Sequence, residues 1–451
     1  MLPIALTKFF SKVLYSFVVM WLLEVIGDKM DFRQYGGTKG NSVSHYLIEF
    51  INFILFQQES GSRAVLSCFV DFSKAFNRQD HNTLITKLSD LGVPGWLLKL
   101  VAAFLEDRCM KVKYKGKYSN IFNLPGGGPQ GTLLGLFLFL VLINDVGFVG
   151  QRNNTGELVT AKKKVKDMNT IHLKYVDDLA LAESIDMTSQ LKTVPLEQRP
   201  QPDDFRSRTG HQLKLEGSEV VEQLQKTQKY ASDNHMKLNV GKTKLMLFNP
   251  CKNKDFMPDI MVEGCRVDLV EEFKLLGVVL SSNLSWHANT DYIVKRCNGK
   301  LWVLRRLKKL GASHSDLLDV YFKQIRSIAE FGVPVWNPSL TGSDVAKLER
   351  IQKTTFHIIL GDNYRSYSSA LRSLGVKKLS ERRKLLCLKF ARKAERHHKF
   401  SKCFKPSTKR TATRQTQSKY CQVFARKKRF RNSPIPYLTE LLNNFYIKKK
   451  K

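Results

Sequence analysis

At 451 residues and 43% apolar content, the chain is long enough for two or three domains with real cores. Its formal charge of +34 excludes an acidic, self-solvating class and implies a polyanionic partner. A phosphate backbone is the natural candidate, held by contacts that weaken as salt rises.

Residues 1–60 read as helical, with a turn at Gly36-Gly37. The apolar run Val13 to Leu23 is too short to span a bilayer and is followed by Glu24. It predicts a buried helix, not a signal or membrane segment. An apolar strand then runs from Ala64 to Asp71, and a strand that ends on a carboxylate is a natural metal-ligand position. Asp71 as a helix N-cap is the plain alternative. Phe76, five residues on, could close the floor of a nucleotide pocket. Helices follow near 80–106. The loop Leu124 to Gly135, rich in Gly and Pro, opens an apolar helix over Leu133–Ile143. Its bare backbone would let a ligand approach closely.

The run Ile171 to Ala182 reads as strand, tight turn, strand. Its turn lifts Asp177 and Asp178 out of an apolar hairpin. Unpaired buried carboxylates are costly, so a cation must meet them, and hard oxygen ligands suit Mg²⁺. A helix is predicted near 218–235 and a strand over Lys244–Phe248, with Asp203 to Arg208 a loop. From Asp291 the period is helical: Ile293, Val294, Cys297, Leu301, Leu304 and Leu307 recur at three or four, and Gly311 ends the run. Lys295, Arg296, Arg305, Arg306, Lys308 and Lys309 ride this helix. Further helices are predicted near 315–330, 344–360 and Tyr437–Phe445.

Residues 371–451 carry 26 Lys and Arg against three acidic residues. The stretch 405–432 is poor in apolar residues and predicts disorder when free. Arg426-Lys427-Lys428-Arg429 suits nuclear import or RNA binding. Phe424, Phe430 and Tyr437 interleave with the charge, as stacking on single-stranded bases would require. No Cys-x-x-Cys pair exists, and His397, His398, Cys403 and Cys421 lack zinc-knuckle spacing. Reduced thiols in an intracellular protein fit better.

Taken in order, these motifs resemble those of the reverse transcriptases of non-LTR (LINE-type) retrotransposons. Asp71 with Phe76 matches the first catalytic motif, Gly128-Pro129-Gln130-Gly131 the second, and Tyr175-Val176-Asp177-Asp178 the third. Leu238-Asn239-Val240-Gly241-Lys242-Thr243-Lys244 resembles the fourth, and Phe273 to Leu280 the primer grip. Gln34 to Ser42 resembles the fingers motif. Val335-Trp336 and Leu348 to Lys353 resemble the region after the polymerase. The likeness covers most of residues 1–365.

The resemblance implies an α+β right-hand polymerase with an antiparallel palm sheet, a helical region and a basic tail. Partial fingers would occupy 1–63, the palm with remaining fingers elements 64–282, a helical thumb and following region 283–370, and a basic extension 371–451. Asp71, Asp177 and Asp178 would hold two Mg²⁺ ions, with Mn²⁺ an alternative. Phe76 would be the steric gate against a ribose 2′-OH. Gln130 and Gly131 would lie against incoming nucleotide and template, and Tyr175 near the primer end. Lys242 would donate a proton to pyrophosphate, and Lys39 would touch template or triphosphate. The implied partners are an RNA template, a DNA primer or target and deoxynucleoside triphosphates, with no membrane. The implied setting is intracellular, either nuclear or a cytoplasmic ribonucleoprotein.

Departures stand beside this. The family's Arg before the fingers and its endonuclease are missing, Asn77 stands where many relatives have Asp, and 150–170 and 184–217 look inserted, the first with Lys162-Lys163-Lys164. They suggest a truncated copy. The competing expectation is an inactive remnant that only binds nucleic acid.

Overall fold

The computed structural model describes residues 7–59, 61, 63–124, 126–147, 169–186, 211–212, 217–249, 256–257, 260–407 and 418–450. The lysine run Lys162-Lys163-Lys164, the loop Asp203 to Arg208 and most of both inserted stretches lie outside the described residues. The chain is mixed α+β and divides into two compact units. The first comprises residues 1–42, 66–245 and 253–269; the second comprises 43–65, 246–252 and 270–451.

A five-stranded sheet carries the first unit, in the order Asp268–Leu269, Lys244–Phe248, Arg63–Val70, Asp178–Asp186, Thr170–Tyr175. The central strand Arg63–Val70 is buried from Ala64 onward, which explains its unbroken apolar run. Thr170–Tyr175 and Asp178–Asp186 form an antiparallel hairpin, with Tyr175 opposite Asp178. The expected antiparallel sheet is therefore only partly so, because Asp268–Leu269 pairs parallel to Lys244–Leu245. The helix Leu133–Leu142 is almost wholly buried. Thr132 caps it, its Oγ1 accepting from Gly135 N at 3.0 Å.

The N-terminal helix spans Phe9–Ile26 but is not buried as its apolar content predicted. Val18, Val19, Leu22 and Ile26 pack inward, while Phe9, Phe10, Leu14 and Phe17 face outward. Tyr15 meets Phe104 and Trp21 meets Trp96 edge to face. The segment Phe9–Lys29 is also long and apolar enough to cross a membrane, so the shorter length read from the sequence is corrected.

In the second unit a hairpin, Glu272–Leu275 with Val278–Ser281, precedes the helix His287–Lys309. That helix packs on Gly342–Leu360, whose N-terminus carries a capping box from Thr341 and Asp344. Between them, His314–Val320 runs through a π-helical turn, Tyr321–Arg326, into Ser327–Glu330. Of the basic residues on His287–Lys309, Lys308 turns aside. Its Nζ donates to the carbonyls of Ile358 (2.5 Å) and Ile359 (3.3 Å), so it satisfies the end of the neighbouring helix.

The described part of the basic tail is tied down, contrary to its composition. Tyr420 N donates to Asn443 Oδ1 at 2.9 Å, and Asn443 Nδ2 returns a bond to Tyr420 O at 3.0 Å. Phe430 is buried against Phe56 and is not available for stacking on bases, whereas Phe424 is exposed. The last helix spans Pro434–Lys450, longer than predicted at both ends.

One buried ion pair anchors the hairpin of the first unit. Lys174 Nζ lies 2.7 Å from Asp31 Oδ2, with both side chains almost fully buried. The same ammonium donates to the carbonyls of Ile143 (3.0 Å) and Asn144 (2.9 Å). Burial pulls the Lys174 ammonium down to about 8, against the opposing pull of Asp31. Burial pushes the Asp31 carboxyl up, but Lys174 and Arg33 overcome it and hold it below its ordinary value. Removing one partner strands the other. Asp31→Asn is expected to lower unfolding free energy by about 3–5 kcal/mol at pH 7.5. The paired change Asp31→Leu with Lys174→Met should recover most of that loss. Chemical denaturation of the two variants checks this; equal losses would mean that the pair is not the anchor.

Candidate active site

Asp71 follows directly on the strand Arg63–Val70, and Asp178 opens the adjacent strand. Asp71 is no helix N-cap: the short 3₁₀ turn that follows, Ala75–Arg78, is preceded by Lys74. The backbone at Asp71 is pinned, with Asn239 N donating to Asp71 O at 2.8 Å. The segment Leu238 to Lys244 is thereby laid beside it. Lys242 Nζ sits 3.4 Å from Asp71 Oδ2, its side chain mostly in solvent.

The turn between the hairpin strands is strained. Val176, a β-branched residue, has φ 58. Gln34 braces it: its Oε1 accepts from Val176 N and from Gly36 N, each at 3.0 Å. Tyr35 N donates to Lys174 O at 2.8 Å, and Lys174 N to Arg33 O at 3.1 Å. Gly36 is required by this approach, since a Cβ there would lie 2.6 Å from Val176 Cγ2.

Three carboxylates therefore share one region with one lysine. Burial raises the Asp177 carboxyl, and Asp71 adds to the rise. Burial pushes Asp178 up to about 6, with Asp177 and Asp71 adding to the rise and Lys242 only partly offsetting it. Asp71 Oδ2 is buried and accepts no hydrogen bond. Repulsion that one exposed lysine only partly relieves, and an acceptor with no hydrogen bond, both on hard oxygens, fit a divalent cation such as Mg²⁺. Among the described residues no three His, Cys, Asp or Glu side chains form a ready-made metal cage. Two carboxylates completed by ligand phosphates would be the Mg²⁺ pattern.

The glycine-rich loop joins this region through Phe76. Gly128 N donates to Phe76 O at 2.7 Å, and Gly127 N to Gln79 O at 2.9 Å. Gly127, at φ 80, is so close that a Cβ would meet Asn77 O at 2.9 Å. The Phe76 ring stacks on Phe139, centroids 4.5 Å apart and planes 25° off parallel. Gln130 is half-buried and Gly131 exposed beyond this junction. Tyr175 is half-buried opposite Asp178. Lys39 lies exposed in the turn after Gly37.

A family model described as reverse transcriptase (RNA-dependent DNA polymerase) matches residues 2–280. The chain belongs to this family. Its similar relatives include a probable RNA-directed DNA polymerase from transposon BS of Drosophila melanogaster, 23% identical over 407 residues, with 88% of this chain and 40% of the relative covered. The RNA-directed DNA polymerase from mobile element jockey of Drosophila melanogaster is 22% identical over 369 residues, with 81% and 36% covered. The chain thus spans less than half the length of these relatives. A solved telomerase from Candida tropicalis, in complex with the TWJ fragment of telomeric RNA, aligns at TM-score 0.41 and 12% identity, covering 86% of this chain and 49% of that one. The mobile-element relatives bear out the LINE-type resemblance of the reverse transcriptase motifs.

Sequence reasoning missed three of the residues that shape this reverse transcriptase site. Gln34 and Gly36 lay inside the fingers motif without a role. Gln79, buried under the glycine loop, carried no signal at all.

The raised Asp178 carboxyl has a stability consequence. Its folded-state value lies above the ordinary 3.8, so the folded chain binds the proton more tightly than the unfolded chain. Stability is therefore lost as pH rises from about 4 through about 6. Asp178→Asn, without divalent cations, should raise stability by about 1–3 kcal/mol at pH 7.5, a gain that fades near pH 4. Added Mg²⁺ should stabilise the parent more than the variant. Thermal melts across pH check this; a destabilised Asp178→Asn chain at pH 7.5 would show the carboxylate to be compensated already.

Proposed function

We propose that the chain is an RNA-directed DNA polymerase of a non-LTR retrotransposon, copying RNA into DNA from a primer 3′-hydroxyl. The observation that carries the reading is the placement of Asp71 and Asp178 at the ends of adjacent strands of one sheet, with Asp177 in the turn beside them and Lys242 3.4 Å from Asp71. These carboxylates would hold two Mg²⁺ ions. When bound, such a pair lowers the pKa of the attacking hydroxyl and neutralises triphosphate charge.

The chain's own residues would do the rest. Phe76, fixed by Phe139 and by Gly128, would fill the space of a ribose 2′-OH and select deoxynucleotides. Gln130 and Gly131 would lie along nucleotide and template. Tyr175 would sit at the primer end, at the hairpin held by Gln34. Lys242, mobile on its exposed stem, would pass a proton to the leaving pyrophosphate once released from Asp71. Lys39 would meet template or triphosphate phosphates from its exposed turn.

In this reading residues 1–63 are partial fingers, 64–282 the palm with the remaining fingers elements, 283–370 the thumb and following region, and 371–451 a basic extension. The site of action would be nuclear, or a cytoplasmic ribonucleoprotein. The charge of +34 supports retention of RNA and DNA by their phosphates.

Primer extension on an RNA template with deoxynucleotides and Mg²⁺ tests the proposal. The parental chain should extend the primer, and Asp177→Asn should reduce extension roughly 10³-fold, the cost of several kcal/mol at the transition state. No extension by the parent, with salt-sensitive RNA binding retained, would leave only a nucleic-acid-binding protein.

A further inference from the structure

Between the first and second catalytic motifs the chain builds an arm that its sequence did not announce. Cys109–Met110 pairs with Phe122–Asn123, and Lys113–Tyr114 with Lys117–Tyr118, both antiparallel. Val112 and Ser119 bridge the two pairs: Ser119 N donates to Val112 O, and Val112 N to Ser119 Oγ, each at 2.9 Å. The tip is Lys115-Gly116, with φ 47 and 82, the turn type that matches strand twist. At about 3.3 Å per residue, an arm of this length reaches roughly 20 Å from its root.

Every residue from Lys111 to Asn123 is exposed. Lys111, Lys113, Lys115 and Lys117 alternate along it, and no acidic residue occurs between Arg108 and Asn144 to relieve their repulsion. Tyr114 and Tyr118 are 70% and 58% exposed. The register places Lys113 opposite Tyr118 and Lys117 opposite Tyr114, so each face of the ribbon carries one ring beside lysine. Lys111 and Lys113 Nζ lie 5.0 and 5.1 Å from the Tyr118 centroid, and Lys115 Nζ lies 5.7 Å from that of Tyr114. Rings this exposed contribute no core burial, and charges this crowded contribute no stability. Both features match a single nucleic-acid strand, which offers phosphates to the lysines and splayed bases to the rings. A duplex hides its base faces and would leave the rings unused.

The root of the ribbon is the catalytic loop. Leu124 N donates to Arg108 O at 2.7 Å, and the Arg108 guanidinium donates to Gly127 O. We propose that the ribbon 109–123 is a binding arm for single-stranded RNA, grasping the template outside the site. The choice of RNA rests on the polymerase reading; the existence of the arm does not.

The test is equilibrium binding of the full chain to single-stranded RNA and to duplex over a salt series, without extension. The variant K111Q/K113Q/K115Q/K117Q should flatten the single-strand salt slope by about 2–3, at about 0.7 for each phosphate that is no longer neutralised. Y114A/Y118A should weaken single-strand binding about tenfold or more, with slope and duplex affinity unchanged. These side chains are all in solvent, and matched melting curves confirm intact folding. An unchanged slope in the lysine variant overturns the proposal, as does equal weakening on duplex and single strand in the tyrosine variant. Arm-dependent binding by a parental chain that fails to extend primers would overturn the polymerase reading alone.

Discussion

Burial of the Asp177 and Asp178 carboxyls, reinforced by their repulsion from each other and from Asp71, is the constraint that sets this site apart from the rest of the first unit. The comparison with Asp31 makes the point. Asp31 and Asp177 are both removed from water, yet their carboxyls move in opposite directions. Asp31 has a buried ammonium at 2.7 Å, which holds its charge. Beside the carboxylates of Asp71, Asp177 and Asp178 stands Lys242, at 3.4 Å from Asp71 and largely in solvent, where water weakens its pull. One side of the same hairpin is neutralised within the protein, and on the other the carboxyls of Asp177 and Asp178 stay raised. Both conditions depend on rigid backbone. Gln34 fixes the left-handed Val176, and Lys174 fixes the strand one residue before Tyr175.

The glycines of the loop around Gly128 serve a different end from the one their bareness suggests. Their immediate neighbours are protein. Gly127 packs on Asn77 and Gly128 on Gln79, at distances that no side chain would allow. Close packing brings the loop amide of Gly128 onto the Phe76 carbonyl, while Phe139 supports the ring from below. If Phe76 is the steric gate proposed above, a ring that cannot yield is what would let it discriminate. Two far-apart sequence motifs thus become one rigid object.

Local chemistry was legible in the sequence, and long-range pairing was not. The strand Lys244–Phe248 and the helices His287–Lys309 and Gly342–Leu360 follow from apolar period and capping residues, which act within one or two turns. The hairpin of Thr170–Tyr175 and Asp178–Asp186 follows from apolar runs about an acidic turn. By contrast, nothing in the sequence marks Lys174 as the buried anchor, because its partner Asp31 lies far away in the chain. The N-terminal helix reads as core by composition, but only one stripe finds neighbours. The tail reads as disordered by charge, yet Asn443 and Glu59 satisfy its backbone from other elements. The ribbon at 109–123 has strands of two residues, too short for any period to declare itself.

A protein with a charge of +34 still leaves its acidic site short of positive charge, and screening explains why. Exposed charges more than a Debye length away, about 10 Å at 0.1 M salt, contribute little at the site. Screening of this kind would keep remote exposed lysines from taking the place of a bound cation beside Asp177 and Asp178. In the proposed reading such lysines would act at longer range on approach, where their summed field would draw a polyanion toward the surface. The carboxylates act only at contact, where they would repel that same polyanion's phosphates. In the proposed reading, a divalent ion held by these carboxylates would resolve the conflict by supplying positive charge for the phosphates. In the proposed reading, this separation of exposed base from half-buried acid would make binding of nucleic acid largely independent of the metal and the chemistry dependent on it.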